Sequence, residues 1–374
     1  MRICGVRLSV LDQTPVPEGV SPAQALRNSV DLASFVDELG YHRYWVAEHH
    51  GMHGLAGSSP EILIGHIAEN THQIRVGSGG VMLSHYSPLK VAENFQVLQA
   101  LHPNRIDMGL GRAPGSDART AYALQSFGNA SGSDRYLESV IEIRTLLRRE
   151  VIETGPLAGV EALPLTETMP ELWLLASSEG SASVAAHCGL PLSWAHFING
   201  NGAETCNLYR KHFRPSFEHS DPVVSVGVNV LCAESEEEAA LMLASLERWR
   251  KDGLRGPIPK SVNQDSQSSL AVLSPSRPMV VGTPASVHEQ LLSVANAYEA
   301  EELLIKIIKF SQRGYEEDLY EIFSESFFEG DIKHFLTAAN NVADEFFRND
   351  LIIRDDATEI ISYQENKEKA YAVN

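Results

Sequence analysis

The densest group of reactive side chains in the chain lies in the stretch Tyr44-Trp45-Val46-Ala47-Glu48-His49-His50-Gly51-Met52-His53. A short apolar run, readable as a buried strand, ends in a carboxylate, two adjacent imidazoles and, beyond a glycine, a third. Each imidazole carries ring nitrogens that need partners when buried, so such crowding suits a reactive loop better than a core. A surface loop that happens to carry histidines is the alternative. Metal ligation by Glu48, His49, His50 and His53 fits poorly, because adjacent strand residues point to opposite faces and metal sites draw ligands from several elements. No metal site is expected. An imidazole set over a bound organic cofactor, as proton donor or hydrogen-bond partner, fits the spacing better.

Three further groups could share that chemistry. Gly77-Ser78-Gly79-Gly80 interrupts an apolar run, which means either a simple bulge or a close approach of backbone to a ligand. Arg112 follows Gly109-Leu110-Gly111 and could offer a guanidinium to an anion. Ser177, Ser178 and Ser181 stand where a strand hands over to a helix, with hydroxyls and backbone N–H groups that suit an anion and equally suit ordinary N-capping.

These groups gain meaning from the elements that carry them. Apolar runs at residues 6–11, 44–47, 74–83, 106–110, 172–175, 192–194, 223–232 and 303–308 read as strands, with helical patterns between them. Ser21-Pro22 and Ser59-Pro60 are strong helix starts, and Gly40 stands where a left-handed cap stops the first helix. Ser235 followed by three glutamates is an N-cap with carboxylates that complement the helix dipole, and needs no functional reading. Eight strands with interleaved helices and no hairpin signal predict an α/β fold, a (β/α)8 TIM barrel over residues 1–330. Loop insertions fall near 154–170 and 253–278, the second a candidate lid rich in Gly, Pro, Ser and Gln; residues 331–374 read as a C-terminal helical extension and polar tail. In such a barrel the strand ends share one face, which gathers Glu48, His49, Gly79, Gly80, Arg112 and the serine trio.

Composition narrows the function. The 374 residues carry 30 basic and 49 acidic side chains, a formal charge of −19, which argues against a nucleic-acid partner. Cys4, Cys188, Cys206 and Cys232 are too widely spaced for a zinc ribbon or a disulfide framework. No signal peptide or membrane span is apparent, and a cytoplasmic enzyme is expected.

Taken together, Tyr41 to His50, Ser59-Pro60-Glu61, Arg75 to Leu83, Arg105 to Gly115 and Val226 to Val230 resemble the bacterial luciferase-like flavin monooxygenases, in particular the luciferase family oxidoreductases of group 1. The resemblance covers about residues 6–328. It implies a barrel, often a homodimer, that takes FMN as FMNH2, reacts it with O2 to a flavin C4a-hydroperoxide, and oxygenates a small organic molecule. It puts the family's catalytic histidine on His49, its phosphate-binding arginine on Arg112 and its phosphate-binding hydroxyls on Ser177, Ser178 and Ser181. Gly79-Gly80 falls where the family carries a non-prolyl cis peptide beneath the flavin. Glu48 is the neighbour expected to tune the histidines.

The resemblance departs at Gly111, where luciferase itself has a reactive cysteine, so light emission is not expected. No Gly-x-Gly-x-x-Gly follows a strand, and an NAD(P)H-dependent flavin reductase is therefore the implied partner. An F420-dependent dehydrogenase on the same barrel is the nearest alternative; a metal-dependent hydrolase and a flavin-binding protein without catalysis are others. An aldehyde, a thioether and a polyketide intermediate are all compatible substrates.

Overall fold

A computed structural model describes residues 1–113, 115–124, 135–149, 153–155, 157–233, 235–251 and 277–307. Most of the expected lid segment and the whole region beyond residue 307 lie outside the described residues.

Eight parallel strands form a closed barrel: β1 (Val6–Asp12), β2 (Arg43–Val46), β3 (Arg75–Ser78), β4 (Ile106–Gly111), β5 (Glu171–Ala176), β6 (Leu192–Ala195), β7 (Val224–Cys232) and β8 (Glu302–Ile307). Each pairs with the next, and β8 pairs with β1 to close the ring. The helices are α1 (Pro22–Glu38), α2 (Pro60–Glu69), α3 (Pro88–Leu101), α4 (Ala118–Leu124), α5 (Tyr136–Leu147), α6 (Glu179–Cys188), α7 (Ala203–His212), α8 (Glu236–Lys251) and α9 (Pro284–Tyr298). Four of them open on proline, whose fixed φ and missing N–H suit the first turn. At α1 the Ser21 hydroxyl also accepts from the Gln24 N–H at 3.1 Å. No helix among the described residues is long and apolar enough to cross a membrane.

Four local features differ from the sequence expectation. A two-residue strand, Arg2–Ile3, makes an antiparallel hairpin with Val6 and Arg7. Its turn puts Cys4 and Gly5 both at positive φ, the geometry of a tight hairpin turn, which a cysteine does not advertise. The run 74–83 divides into β3 and a short strand, Val81–Met82, on either side of Gly79-Gly80. Helix α4 and the strand Val280–Gly282, parallel to β7, were not anticipated.

The barrel interior is layered, because alternate strand residues point inward. At the N-terminal end, Arg43 donates to Asp107 (2.8 Å), Glu171 (3.2 Å) and Glu302 (3.2 Å), while Arg75 pairs with Asp107 and Glu171 and Arg7 approaches Glu302. Three guanidiniums thus face three carboxylates. Burial alone would push the Asp107 carboxyl up, but Arg43 and Arg75 hold it below the usual range. Above this layer Leu11, Trp45, Trp173 and Leu304 pack together, the two indoles edge to face at 5.5 Å between centroids. Strands β3 and β4 come so close that a Cβ on Gly109 would lie 2.1 Å from the Ser78 carbonyl oxygen, so only glycine fits there.

Candidate active site

Strand β2 ends at Val46, and the chain then turns out of the ladder through Glu48 and His49. The His49 N–H is held by the Gly57 carbonyl at 2.8 Å. Its Nε2 lies 3.2 Å from the Gln13 side-chain amide just beyond β1. With that amide assigned as donor, the imidazole proton resides on Nδ1. Nδ1 is buried and has no partner among the described residues. Burial, with Lys306 and His50 adding to it, pushes His49 down to about 4, so the ring is neutral at physiological pH and Nδ1 offers an unused N–H.

Glu48 serves a different set of groups. Its carboxylate, wholly buried, meets His50 Nε2 at 2.7 Å and accepts from the Tyr86 hydroxyl at 2.6 Å and the Met82 N–H at 2.9 Å. No hydrogen bond joins it to His49 among the described residues. Burial and the Glu48 carboxylate both raise the Tyr86 phenol well above its ordinary range, so it stays a donor. The carboxylate therefore ties the His loop to the segment after β3. The His50 N–H adds a bond to the Gly115 carbonyl at 3.2 Å, which ties the same loop to the one after β4. Tyr86 was missed in the sequence because nothing local marks it; it lies just beyond the turn Leu83–His85. Among the described residues no three His, Cys, Asp or Glu side chains are grouped to hold a metal ion.

The Gly79-Gly80 peptide is cis. Both glycines are tightly enclosed: a Cβ on Gly79 would lie 2.5 Å from Leu11 Cδ1, and one on Gly80 2.7 Å from the Gly109 carbonyl oxygen. The second group assembles after β4 and β5. Arg112 is exposed, and its Nη2 reaches the Ser178 hydroxyl at 3.4 Å; Ser178 in turn lies 3.4 Å from the Ser181 hydroxyl. Ser178 is the N-cap of α6, yet its side chain caps no backbone N–H, so hydroxyl and helix N-terminus are both available to a ligand. Gly180 lies beside the guanidinium, the place of its Cβ being 4.0 Å from Arg112 Nη1, an ordinary contact distance. The Ser177 carbonyl is fixed by the Asn199 amide at 3.2 Å. Arg112 joins no ion pair among the described residues.

A third feature escaped the sequence reading. Lys306, inside the apolar run of β8, is 8% exposed and stands 4.7 Å from the centroid of the Phe197 ring. The signal was there, since a lysine at an inward position of a barrel strand breaks the apolar pattern.

A parallel barrel with Arg112, Ser178 and Ser181 grouped at the C-terminal strand ends, and a separate neutral imidazole on the same rim, has the layout of a barrel enzyme whose site lies at that end. The chain belongs to the luciferase-like monooxygenases, whose family model matches residues 6–300. It is 44% identical to the uncharacterized protein YwcH of Bacillus subtilis (strain 168), over 81% of this chain and 94% of that one. It is 34% identical to an N-acetyl-S-alkylcysteine monooxygenase from the same organism, over 80% of this chain and 92% of the relative. The crystal structure of apo-MsnO8 superposes with a TM-score of 0.74 at 38% identity, covering 86% of this chain and 97% of that one. The fold alone is shared with the FMN complex of a 3,6-diketocamphane monooxygenase component from Pseudomonas putida (TM-score 0.60, 17% identity) and with an F420-dependent secondary alcohol dehydrogenase (TM-score 0.62, 13% identity). The protein is a monooxygenase of this family.

Proposed function

We propose that this monooxygenase uses externally supplied FMNH2 and O2 to oxygenate a small organic substrate. The observation that carries the reading is the neutral His49 ring, its Nδ1 buried and without a partner among the described residues, on the same barrel rim as the Arg112–Ser178–Ser181 cradle. The cradle fits the terminal phosphate of FMN: a guanidinium outside the ion pairs of the described residues, two hydroxyls and an uncapped helix end all favour a dianion.

Reduced FMN, when bound, supplies the electron pair with which O2 is activated, and the hard chemistry is the cofactor's. The chain's own contribution is placement and proton control. Arg112, Ser178 and Ser181 bind the phosphate, with Ser177 beside them. His49 holds a proton at Nδ1 and can donate it or share it with a bound group, while Gln13 fixes the ring from the other side. Glu48 keeps His50, Tyr86 and the Met82 N–H in place around it. The Leu11, Trp45, Trp173 and Leu304 layer gives the site a dry floor.

The protein then acts as the oxygenase component of a two-component system, a cytoplasmic homodimer served by an NAD(P)H-dependent flavin reductase. Thioethers are the first substrate class to test, given the relative that acts on N-acetyl-S-alkylcysteines. The test is turnover with FMNH2 and O2, compared with turnover with reduced or oxidised F420 under argon. Oxygenated product in the first arm, labelled from 18O2 and lost in His49→Ala, is the expected result; turnover only in the second arm overturns the reading.

A further inference from the structure

Lys306 has no part in the roles assigned above, and its surroundings are unusual. Along β8 the inward positions are Glu302, which bonds Ser9 and Arg43, then Leu304 in the apolar layer, then Lys306. The period of two therefore carries the ammonium to the catalytic end of the barrel, one layer above the tryptophans. Phe197 lies beneath it at 4.7 Å and is held against bare β7 backbone, where a Cβ on Gly227 would stand 2.8 Å from Phe197 Cε1.

A buried ammonium normally has a carboxylate or several acceptors around it, because losing water costs several kcal/mol. Here no carboxylate and no hydrogen-bond acceptor among the described residues reaches Lys306. The charged groups acting on it are the cations Arg250 and Arg277, and Arg250 is itself engaged with Glu247 at 2.7 Å. The neighbouring titratable group is His49, whose own ionisation the lysine suppresses. Burial, then Arg250 and Arg277, push Lys306 down to about 7, as an uncompensated cation requires.

A second open group stands beside it. Asn229 is the ladder partner of Lys306 on β7 and is 1% exposed. Its Nδ2 donates to the Pro278 carbonyl at 3.1 Å, while its Oδ1 is buried without a partner among the described residues. Among the described residues, a cation lacking an anion and an acceptor lacking a donor thus sit side by side. The phosphate cradle follows β4 and β5, across the ring from β8, so the cofactor's phosphate does not answer for Lys306.

Resting on the monooxygenase reading, we propose that Lys306 binds a carboxylate on the organic substrate, and that Asn229 Oδ1 accepts an N–H or O–H of the same molecule. The substrate class is a carboxylic acid with an amide N–H or a hydroxyl near its carboxylate, such as an N-acylated amino acid or a 2-hydroxy acid. A fixed ammonium in a partly apolar site discriminates strongly against neutral isosteres, since a buried charge left unpaired is penalised.

Calorimetric titration of the full-length protein at pH 7, with FMN present, tests this with N-acetylmethionine, mandelate and octanoate, each against its primary amide. The expected result is that N-acetylmethionine or mandelate binds at least tenfold more tightly than its amide. Lys306→Met abolishes that preference and Lys306→Arg retains most of it. Asn229→Leu weakens N-acetylmethionine and mandelate several-fold while leaving octanoate unchanged. Thermal melts and FMN titration of each variant establish that it is folded. No acid preferred over its amide in the unsubstituted protein, or a preference that survives in folded Lys306→Met, overturns the proposal. The binding readout separates it from the activity reading: Lys306-dependent acid preference without FMNH2- and O2-dependent turnover sinks the monooxygenase chemistry and leaves the acid site standing, and turnover without acid preference does the reverse.

Discussion

Glu48 and His50 face each other at 2.7 Å, while His49, between them in the chain, turns its ring to Gln13. The two imidazoles of the pair therefore have separate duties: His50 belongs to a buried bracing network, and His49 is left with an open nitrogen. Glu48→Ala removes the acceptor of three groups at once. Each buried donor left unsatisfied costs roughly 1–3 kcal/mol, so urea unfolding should show a loss of several kcal/mol, with turnover falling as the loop loosens. His49→Ala should leave stability much nearer to that of the parent protein while abolishing most turnover. Equal effects of the two substitutions on unfolding would contradict this division.

Arg112 is exposed and, among the described residues, its hydrogen bonding is the long Ser178 contact, so its removal should tell on ligand binding and hardly on folding. Charge-assisted hydrogen bonds contribute about 1.5–3 kcal/mol, which corresponds to roughly a 10- to 100-fold loss of FMN affinity in Arg112→Ala. Affinity of the parent protein should also weaken with rising salt, and that dependence should shrink in the variant. Fluorescence titration of FMN at two ionic strengths measures both.

The ionisation of His49 sets an acid limit. Its folded-state value of about 4 lies below the ordinary 6.5, so the unfolded chain binds more protons between those two values. Stability contributed by the neutral ring is complete above about pH 6.5 and is lost as pH falls toward 4, with a slope of at most about 1.4 kcal/mol per pH unit. Gln13 contacts the ring, and the charges of Lys306 and His50 act on it. Unfolding curves between pH 4.5 and 7.5 should be flatter for His49→Asn than for the parent protein, and parallel curves would show that the ring is not held neutral.

Arg43 joins three carboxylates at the N-terminal end of the barrel, two of them wholly buried. Breaking one side of a buried ion pair typically costs 3–5 kcal/mol, because the partner charge remains. Arg43→Met should therefore lower the melting temperature by ten degrees or more, or prevent accumulation of folded protein. The double variant Arg43→Met with Asp107→Asn should recover part of that loss in a thermal melt.

The eight barrel strands are readable because each is a short apolar run, several of them bounded by Gly, Pro or Ser, and because the parallel topology then places every strand end on one face. That same rule groups Glu48, His49, Gly79, Gly80, Arg112, Ser177, Ser178 and Ser181 from the sequence. What it could not convey is pairing across the ring. Arg43 meets residues 64, 128 and 259 positions away, and no local pattern links them. Glu48 was read as a neighbour tuning the histidines in general; the bend after β2 sends it to His50, Tyr86 and Met82. Lys306 and Asn229 were overlooked for a related reason, since each looks like an isolated polar residue in an apolar strand until the ladder sets them side by side.

The ion-paired layer around Arg43 has one more consequence. It fills the N-terminal end of the barrel, and the tryptophan layer packs directly above it. Among the described residues the lower two levels of the interior are thus occupied by side chains. A molecule held at the rim of His49 and Arg112 would rest on a floor whose height is fixed by an ion-paired plug at the far end of the barrel, by residues that would never touch it.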